Sequence, residues 1–292
     1  SYNSDVLQNV RKKLLSQLLD RQGTGRILFG NSRNTIKGFH ARETHPAPLM
    51  MPEQYQEALN EFMLSGCPET LANSNQAKYV FTPEMLYGFD HQAAIWTDFD
   101  PRVEFLIDLL KSLKKEKVLV ICAHAQTAID LEAALRVKEG IRSAVFHEGL
   151  SIFERDKAAA YFAQDEDSAQ LLLCSEIGSE GRNFQFSHHL VLFDLPSNPD
   201  LLEQRIGRLD RIGQTEIIRL HIPYFEDSAQ HMLFDWYQQG MQAFEHTCIT
   251  GRVVFEAYGQ QLLSLALSAQ QTSPEAEQLI TDSWQKHCQI KA

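Results

Sequence analysis

No stretch of the 292-residue chain approaches the ~20 apolar residues of a bilayer-spanning helix, and no charged-apolar-small leader opens it. Neither a membrane-spanning nor a secreted protein is expected. The first residue is Ser rather than Met, which predicts a piece of a longer polypeptide. Cysteine is sparse: Cys67, Cys122, Cys174, Cys248 and Cys288 are odd in number and include no CxxC pair. That argues against a disulfide framework or a zinc site and fits a reducing cytosol. Cys122 and Cys174 close apolar runs, where cysteine acts as a small buried hydrophobe. The 11 histidines lack HExxH or other ligand spacing, so no metal site is expected, and His188-His189 reads as the opening of a strand. Positive charge is in deficit, with 27 Lys and Arg against 38 Asp and Glu and a net charge of −11. Bulk charge therefore gives no support to tight binding of nucleic acid by phosphate neutralisation, which would need a local basic strip. An acidic exterior suits a protein-docking module equally well.

The phosphate-binding signatures of self-sufficient nucleotide enzymes are missing too. No GxxxxGK[ST] occurs, since Gly23-Thr24-Gly25-Arg26 has neither the length nor the lysine, and no GxGxxG follows a strand. No DExx box closes an apolar strand. Asp98-Phe99-Asp100 precedes a helix start and is better explained by capping.

What is present is a core. Hydrophobic residues make up 43% of the chain and aromatics 10%, enough for one large or two modest domains. From Lys117 onward, short β-rich runs alternate with amphipathic segments, the pattern of a parallel sheet covered by helices. Strands are predicted at 117–122, 141–146, 170–174, 190–194 and 217–222. Asp100-Pro101 and Asn198-Pro199 each offer a cap and a first-turn proline, and Ser151 with Glu154 forms a capping box. Residues 1–95 read as a connector. It holds an amphipathic helix ending near Gly23, extended segments at 26–29 and 42–49, a helix from Pro52 and a polar loop at 66–78. Residues 96–225 read as the α/β domain and 226–292 as a helical extension, with Met232, Leu233, Trp236 and Met241 spaced as a buried face. A parallel sheet binds ligands at the carboxyl ends of its strands, so the loops after Cys122, Phe146, Cys174 and Asp194 are the ones to inspect.

The helix predicted to start at Asn198-Pro199 carries the segment 204–214, QRIGRLDRIGQ, which places Arg205, Arg208 and Arg211 three residues apart. Rigid guanidiniums can converge there on one anion, a polyphosphate being the natural candidate. The plainer alternative is a surface pairing of Arg208, Asp210 and Arg211, worth little energetically. The loop after Cys174, SEIGSEGRNFQ, carries two glycines and two hydroxyls that can bring backbone N–H groups near phosphates; equally, it can be a plain connecting turn.

Taken in order, strand–SEIGSEGRNFQ–strand–DLPSNPDLLEQRIGRLDRIGQ–strand resembles the second RecA-like lobe of superfamily 2 helicases, in the Swi/Snf branch of DNA translocases. GSEGRNFQ corresponds to motif V, QRIGRLDRIGQ to motif VI and the 117–122 strand to motif IV. The segments FDPRVEFLIDLL, AVFHEGLSIFERD and AFEHTCITGR are similar to a bacterial, RNA polymerase-associated subgroup of that branch. The resemblance covers nearly the whole chain and is least diagnostic after about residue 260.

The resemblance implies a P-loop NTPase-type lobe that closes on ATP and Mg²⁺ held mainly by an absent first RecA-like lobe. It also implies an ATP hydrolase that tracks DNA or RNA and remodels or recycles RNA polymerase in the bacterial cytoplasm. Arg208 and Arg211 would be its catalytic arginine fingers. Glu180, Gly181, Gln204 and Arg205 would face or orient the nucleotide. Ala123, His124, Ala125, His147, Gly149, Ser175, Gly178 and Ser179 would lie along the nucleic-acid backbone; for His147 a loop or core role is as well supported. By itself the chain is expected to hydrolyse ATP negligibly, because phosphoryl transfer needs both lobes. The alternative is a module that docks on RNA polymerase with no catalytic part of its own. Three departures leave roles open: Gly178-Ser179-Glu180-Gly181 replaces the glycine-rich form of motif V, Leu209-Asp210 stands where many relatives carry Ala-His, and His40-Ala41-Arg42 stands where a more basic pair is expected.

Overall fold

The computed structural model describes residues 41–65, 76–90, 95–165, 167–176, 184, 186–210, 214–268 and 271–291. The predicted helix before Gly23, the extended segment 26–29 and most of the polar loop lie outside these residues.

Among the described residues six strands form one parallel sheet: β1 (Arg42–Leu49), β2 (Val118–Cys122), β3 (Ser143–Phe146), β4 (Leu171–Ser175), β5 (His189–Leu192) and β6 (Ile218–Phe225). They lie in the order β1-β6-β5-β2-β4-β3. Every residue of β2, β4 and β5 is buried. This is why those strands read in sequence as continuous apolar runs rather than alternating ones. Cys122 and Cys174 are both 0% exposed, as small core residues.

The helices begin where local chemistry dictates. In α3 (Pro101–Leu113) the Asp100 carboxylate accepts from Arg102 N. Before it come α1 (Glu53–Leu64), a 3-10 turn (Ala77–Phe81) and α2 (Pro83–Asp90). After β2 runs α4 (Ala125–Glu139), ended by Gly140 at φ 61° in the left-handed region. In α5 (Ile152–Ala163) both halves of the Ser151–Glu154 capping box are formed. Asn198 caps α6 (Pro199–Ile206) by accepting from Asp200 N. Helices α4 and α5 pack on the β3–β4 side of the sheet, while α3 and α7 (Ala229–Met241) pack on β6.

β1 joins the sheet beside the strand most distant from it in sequence, with Arg42 opposite Ile218 and Leu49 opposite Phe225. Beneath β5 and β6 a fully buried ion cluster ties α1, α2 and α3 together. Arg102 donates to Asp100 Oδ2 at 2.7 Å and Glu84 Oε2 at 2.9 Å, and its guanidinium lies 4.2 Å from the Phe193 ring centre. Tyr55 Oη donates to Asp100 Oδ2 at 2.8 Å. Burial pushes the Glu84 carboxyl upward, against the pull of Arg102.

α7 packs with α8 (Gly251–Ala266) and α9 (Pro274–Lys291). Trp236 Nε1 donates to Ser283 Oγ and Tyr237 Oη to the Pro196 carbonyl, fixing this group to the loop after β5. Met232, Leu233, Trp236 and Met241 are all buried, as their spacing predicts. Among the described residues no helix is long and apolar enough to cross a membrane.

Candidate nucleotide and nucleic-acid site

The carboxyl ends of β5, β2 and β4 are tied together by one arginine. Arg205, on the last turn of α6, is 2% exposed. Its Nη1 donates to Asp194 Oδ1 at 3.0 Å and to the Asp194 carbonyl at 2.6 Å. Its Nε and Nη2 donate to Glu176 Oε1 and Oε2 at 3.0 and 3.3 Å. Asp194 Oδ2 in turn accepts from Ala123 N at 2.7 Å. Burial opposes the Arg205 charge, but Asp194 and Glu176 outweigh it and raise its pKa further. The site-lining loops thus share a buried charge network, and Arg205 spends its donors holding them.

The helix stops before the second arginine. α6 ends at Ile206, and Gly207 N donates to the Glu203 carbonyl at 2.9 Å. A Cβ on Gly207 would sit 2.9 Å from that same oxygen, so glycine permits the tight turn. The sequence reading put all three arginines on a helix; Arg205 is on it and Arg208 lies past its end. Arg208 lies in the turn and is 4% exposed, with its carbonyl accepting from Phe184 N at 3.2 Å. Its charge acts on the Cys174 thiol, whose pKa burial drives up and Arg208 draws down.

Asp210 is not at the surface but buried, and Oδ2 accepts from Arg42 Nη2 at 2.6 Å and Nε at 2.9 Å. Arg42 also bridges Glu203, with Nη1 to Oε1 at 3.1 Å and Nη2 to Oε2 at 3.2 Å. Glu203 Oε1 accepts from Cys248 N at 2.9 Å. Burial lowers and the two carboxylates raise the Arg42 pKa, with the carboxylates prevailing.

The remaining predicted positions divide. Ala123 and His124 precede α4, and Ala125 is its first residue; all three are half-buried. His124 Nε2 lies 3.5 Å from Thr82 Oγ1, and its ring is 5.6 Å from that of Tyr79. After β3, His147 Nδ1 accepts from Gly149 N at 3.1 Å. A Cβ on Gly149 would meet that imidazole at 2.9 Å. Arg155 holds the same turn by donating to the Glu148 and Leu150 carbonyls. Ser175 is 1% exposed and donates to Glu148 Oε2 at 2.6 Å, turned inward rather than to the surface. Gln204 is half-buried on α6. Gly178, Ser179, Glu180, Gly181 and Arg211 lie outside the described residues.

The sequence reading missed Arg42, Glu176, Asp194 and Glu203 as site-building residues. Asp194 had a local signal, an acid closing a buried strand before Leu195-Pro196; the others had none. One described grouping has side chains close enough to share a metal, Glu116 with His188 and His189, whose ligand atoms lie within 4.8 Å of one another. It sits at the amino ends of β2 and β5, away from the loops above. Each ligand atom is already used: Glu116 Oε2 pairs with His188 Nε2 at 2.9 Å and His189 Nε2 at 2.7 Å.

Comparison with known proteins agrees with this architecture. Residues 101–213 match the helicase conserved C-terminal domain, and residues 217–292 match the RNA polymerase recycling family C-terminal region. The chain is 54% identical over 288 residues to the RNA polymerase-associated protein RapA of Photobacterium profundum, covering 98% of this chain but 29% of that protein. Among solved structures, the SWI2/SNF2 ATPase core of Sulfolobus solfataricus in complex with dsDNA aligns with TM-score 0.56 at 14% identity, over 77% of this chain and 49% of the other. The C-terminal part of the Fun30 ATPase domain aligns with TM-score 0.54 at 13% identity, over 78% of this chain and 98% of the other. At such identities these two establish the fold alone. The chain is a RapA homologue, with a helicase C-terminal lobe followed by an RNA polymerase recycling family C-terminal region.

Proposed function

We propose that this region is the second motor lobe of an ATP-dependent nucleic-acid translocase acting on RNA polymerase, and that Arg208 and Arg211 are its arginine fingers. The observation that carries the reading is the turn after α6. A buried network through Arg205, Asp194 and Glu176 fixes the helix that leads into it, and Gly207 ends that helix one residue before Arg208. A guanidinium on a held turn can meet the charge that develops on a transferred phosphoryl group with little reorganisation. From its buried position Arg208 reaches an ATP on a facing lobe by turning outward as the lobes close.

The donor set fits a shared site. Among the described residues, Asp194 and Glu176 are engaged by Arg205, Asp210 and Glu203 by Arg42, and Glu148 by Ser175. Mg²⁺ ligation and the phosphate cradle therefore fall to the first lobe, and this chain contributes positive charge. The loops after β2, β3 and β4 supply the nucleic-acid face, whose described parts are Ala123–Ala125, the His147–Gly149 turn and Ser175.

The test uses the intact polypeptide containing both lobes. Arg208→Ala should lower DNA-stimulated ATP hydrolysis by about 10³–10⁵-fold while leaving ATP binding in place. The isolated 292-residue chain should release no phosphate above background. Wild-type turnover by Arg208→Ala would sink the arginine-finger role.

The second reading, a polymerase-docking module without catalytic function, draws on the match of residues 217–292 to the recycling family. Its surface excludes Trp236, Tyr237 and Phe244, large aromatics of the C-terminal region that are all 0% exposed.

A further inference from the structure

Arg42 stands outside every motif, yet its guanidinium lies at the centre of the motif VI turn. Its side chain is 3% exposed and meets three separate segments. Asp210, two residues beyond Arg208, takes Nε and Nη2 on one oxygen. Glu203, five residues before Arg208, takes Nη1 and Nη2 on its two oxygens. The His246 carbonyl accepts from Nη1 at 3.4 Å. The two carboxylates bracket the turn, so one guanidinium fixes its entrance and its exit together.

Stability alone is a weak reason for such an arrangement. A buried ion group is often no more stable than apolar residues of the same volume, whereas its directed hydrogen bonds select a single geometry. The planar fork of arginine suits this task, and lysine, a point charge, cannot span both carboxylates in the same way.

We propose that Arg42 is a positioning residue for Arg208: the Arg42–Asp210–Glu203 group holds the motif VI turn in the conformation from which the arginine acts. This rests on the arginine-finger reading above. It gives Asp210 a role that the motif alone left open. It also links the finger to β1, far from the motif in sequence, and to the 246–248 turn of the C-terminal region.

The experiment compares Arg42→Met, Arg42→Lys, Asp210→Asn and Arg208→Ala in the intact two-lobed polypeptide. It reads DNA-stimulated ATPase kcat and KM, ATP binding and thermal melting. Arg42→Met should remain folded at the assay temperature and lose about 10- to 100-fold in kcat, the scale expected of an ångström-sized misplacement, with KM for ATP within about twofold. Arg42→Lys and Asp210→Asn should fall between it and wild type. If Arg42→Met does not fold, Arg42→Lys and Asp210→Asn decide, a kcat loss at unchanged KM supporting the proposal. Wild-type kcat in the folded Arg42 and Asp210 variants, alongside an inactive Arg208→Ala, overturns the positioning role and leaves the finger reading intact. An active Arg208→Ala overturns the finger reading and, with it, this inference.

Discussion

Arg102 shows what a single buried charge does in this fold. With Asp100 and Glu84 against it and no exposure, its removal strands two carboxylates in the core. Arg102→Met should destabilise the chain by about 3–5 kcal/mol, measured as a shift in the urea midpoint at constant slope. Lys111→Ala, which breaks the exposed pair with Glu139, should change stability by no more than about 1 kcal/mol. Cysteine reactivity follows the same logic of enclosure. Burial raises the thiols of Cys122, Cys174 and Cys248, the last to about 12, while Cys288 is exposed on α9. A thiol reagent at pH 8, followed by peptide mapping, should label Cys288 well before the other three. Fast labelling of Cys122 would contradict the packing of β2. At this scale the sequence was legible where the interaction is local: Asp100, Ser151 and Asn198 cap as their spacing predicts. It was opaque for Arg42 and Asp210, whose partnership spans 168 residues and leaves no trace in either neighbourhood.

At the scale of elements, β1, β6 and β5 are laced by imidazoles. His45 stacks on its register partner His221 at 5.1 Å, and His221 Nε2 lies 2.9 Å from His189 Nδ1. Burial, with the nearby charges of His189, His45 and Arg219, brings the His221 pKa down to about 3. The folded state therefore keeps this ring neutral, whereas the unfolded chain protonates it in the ordinary histidine range. The contribution to stability is full above that range and is lost as pH falls towards 3. Between pH 7 and 4.5 His221 should account for roughly 2–3 kcal/mol of lost stability. Denaturant titrations at the two pH values should show a shallower dependence in His221→Phe; identical slopes would refute the assignment. β2, β4 and β5 were readable because both of their faces are covered. The extent of 42–49 was readable as well. Its seat beside β6 was not, since a period-2 pattern carries no information about which strand it will pair with. The extent of α6 was overestimated for a similar reason: the arginine spacing suits a helix, but Gly207 ends it.

On the scale of the molecule, the C-terminal region completes the core. Leu233, Trp236, Tyr237 and Phe244 are fully buried, and each large apolar side chain removed from water contributes about 1.5–3 kcal/mol. A chain ended at residue 225 would uncover β6 and lose the Tyr237–Pro196 bond. It should show no cooperative melting transition and should bind a hydrophobic dye; a sharp transition would show the two regions to be independent. RNA polymerase binding is therefore better tested by surface substitutions on α8 and α9 than by truncation.

The pairing of β1 with β6 also sets a timetable. Arg42 leaves the ribosome long before Asp210, and at about 5–20 residues per second the delay is roughly 10–30 s. During that interval β2 to β5 can assemble while the open edge beside β5 and the waiting strand stay exposed to chaperones and to other chains. The last strand to be made must enter between two that already exist, so closure of the sheet and assembly of the motif VI turn are a single late event. A nascent chain halted before β6 has a half-built sheet and no fixed seat for the turn that carries Arg208, so the geometry of that turn is set only when the architecture is finished.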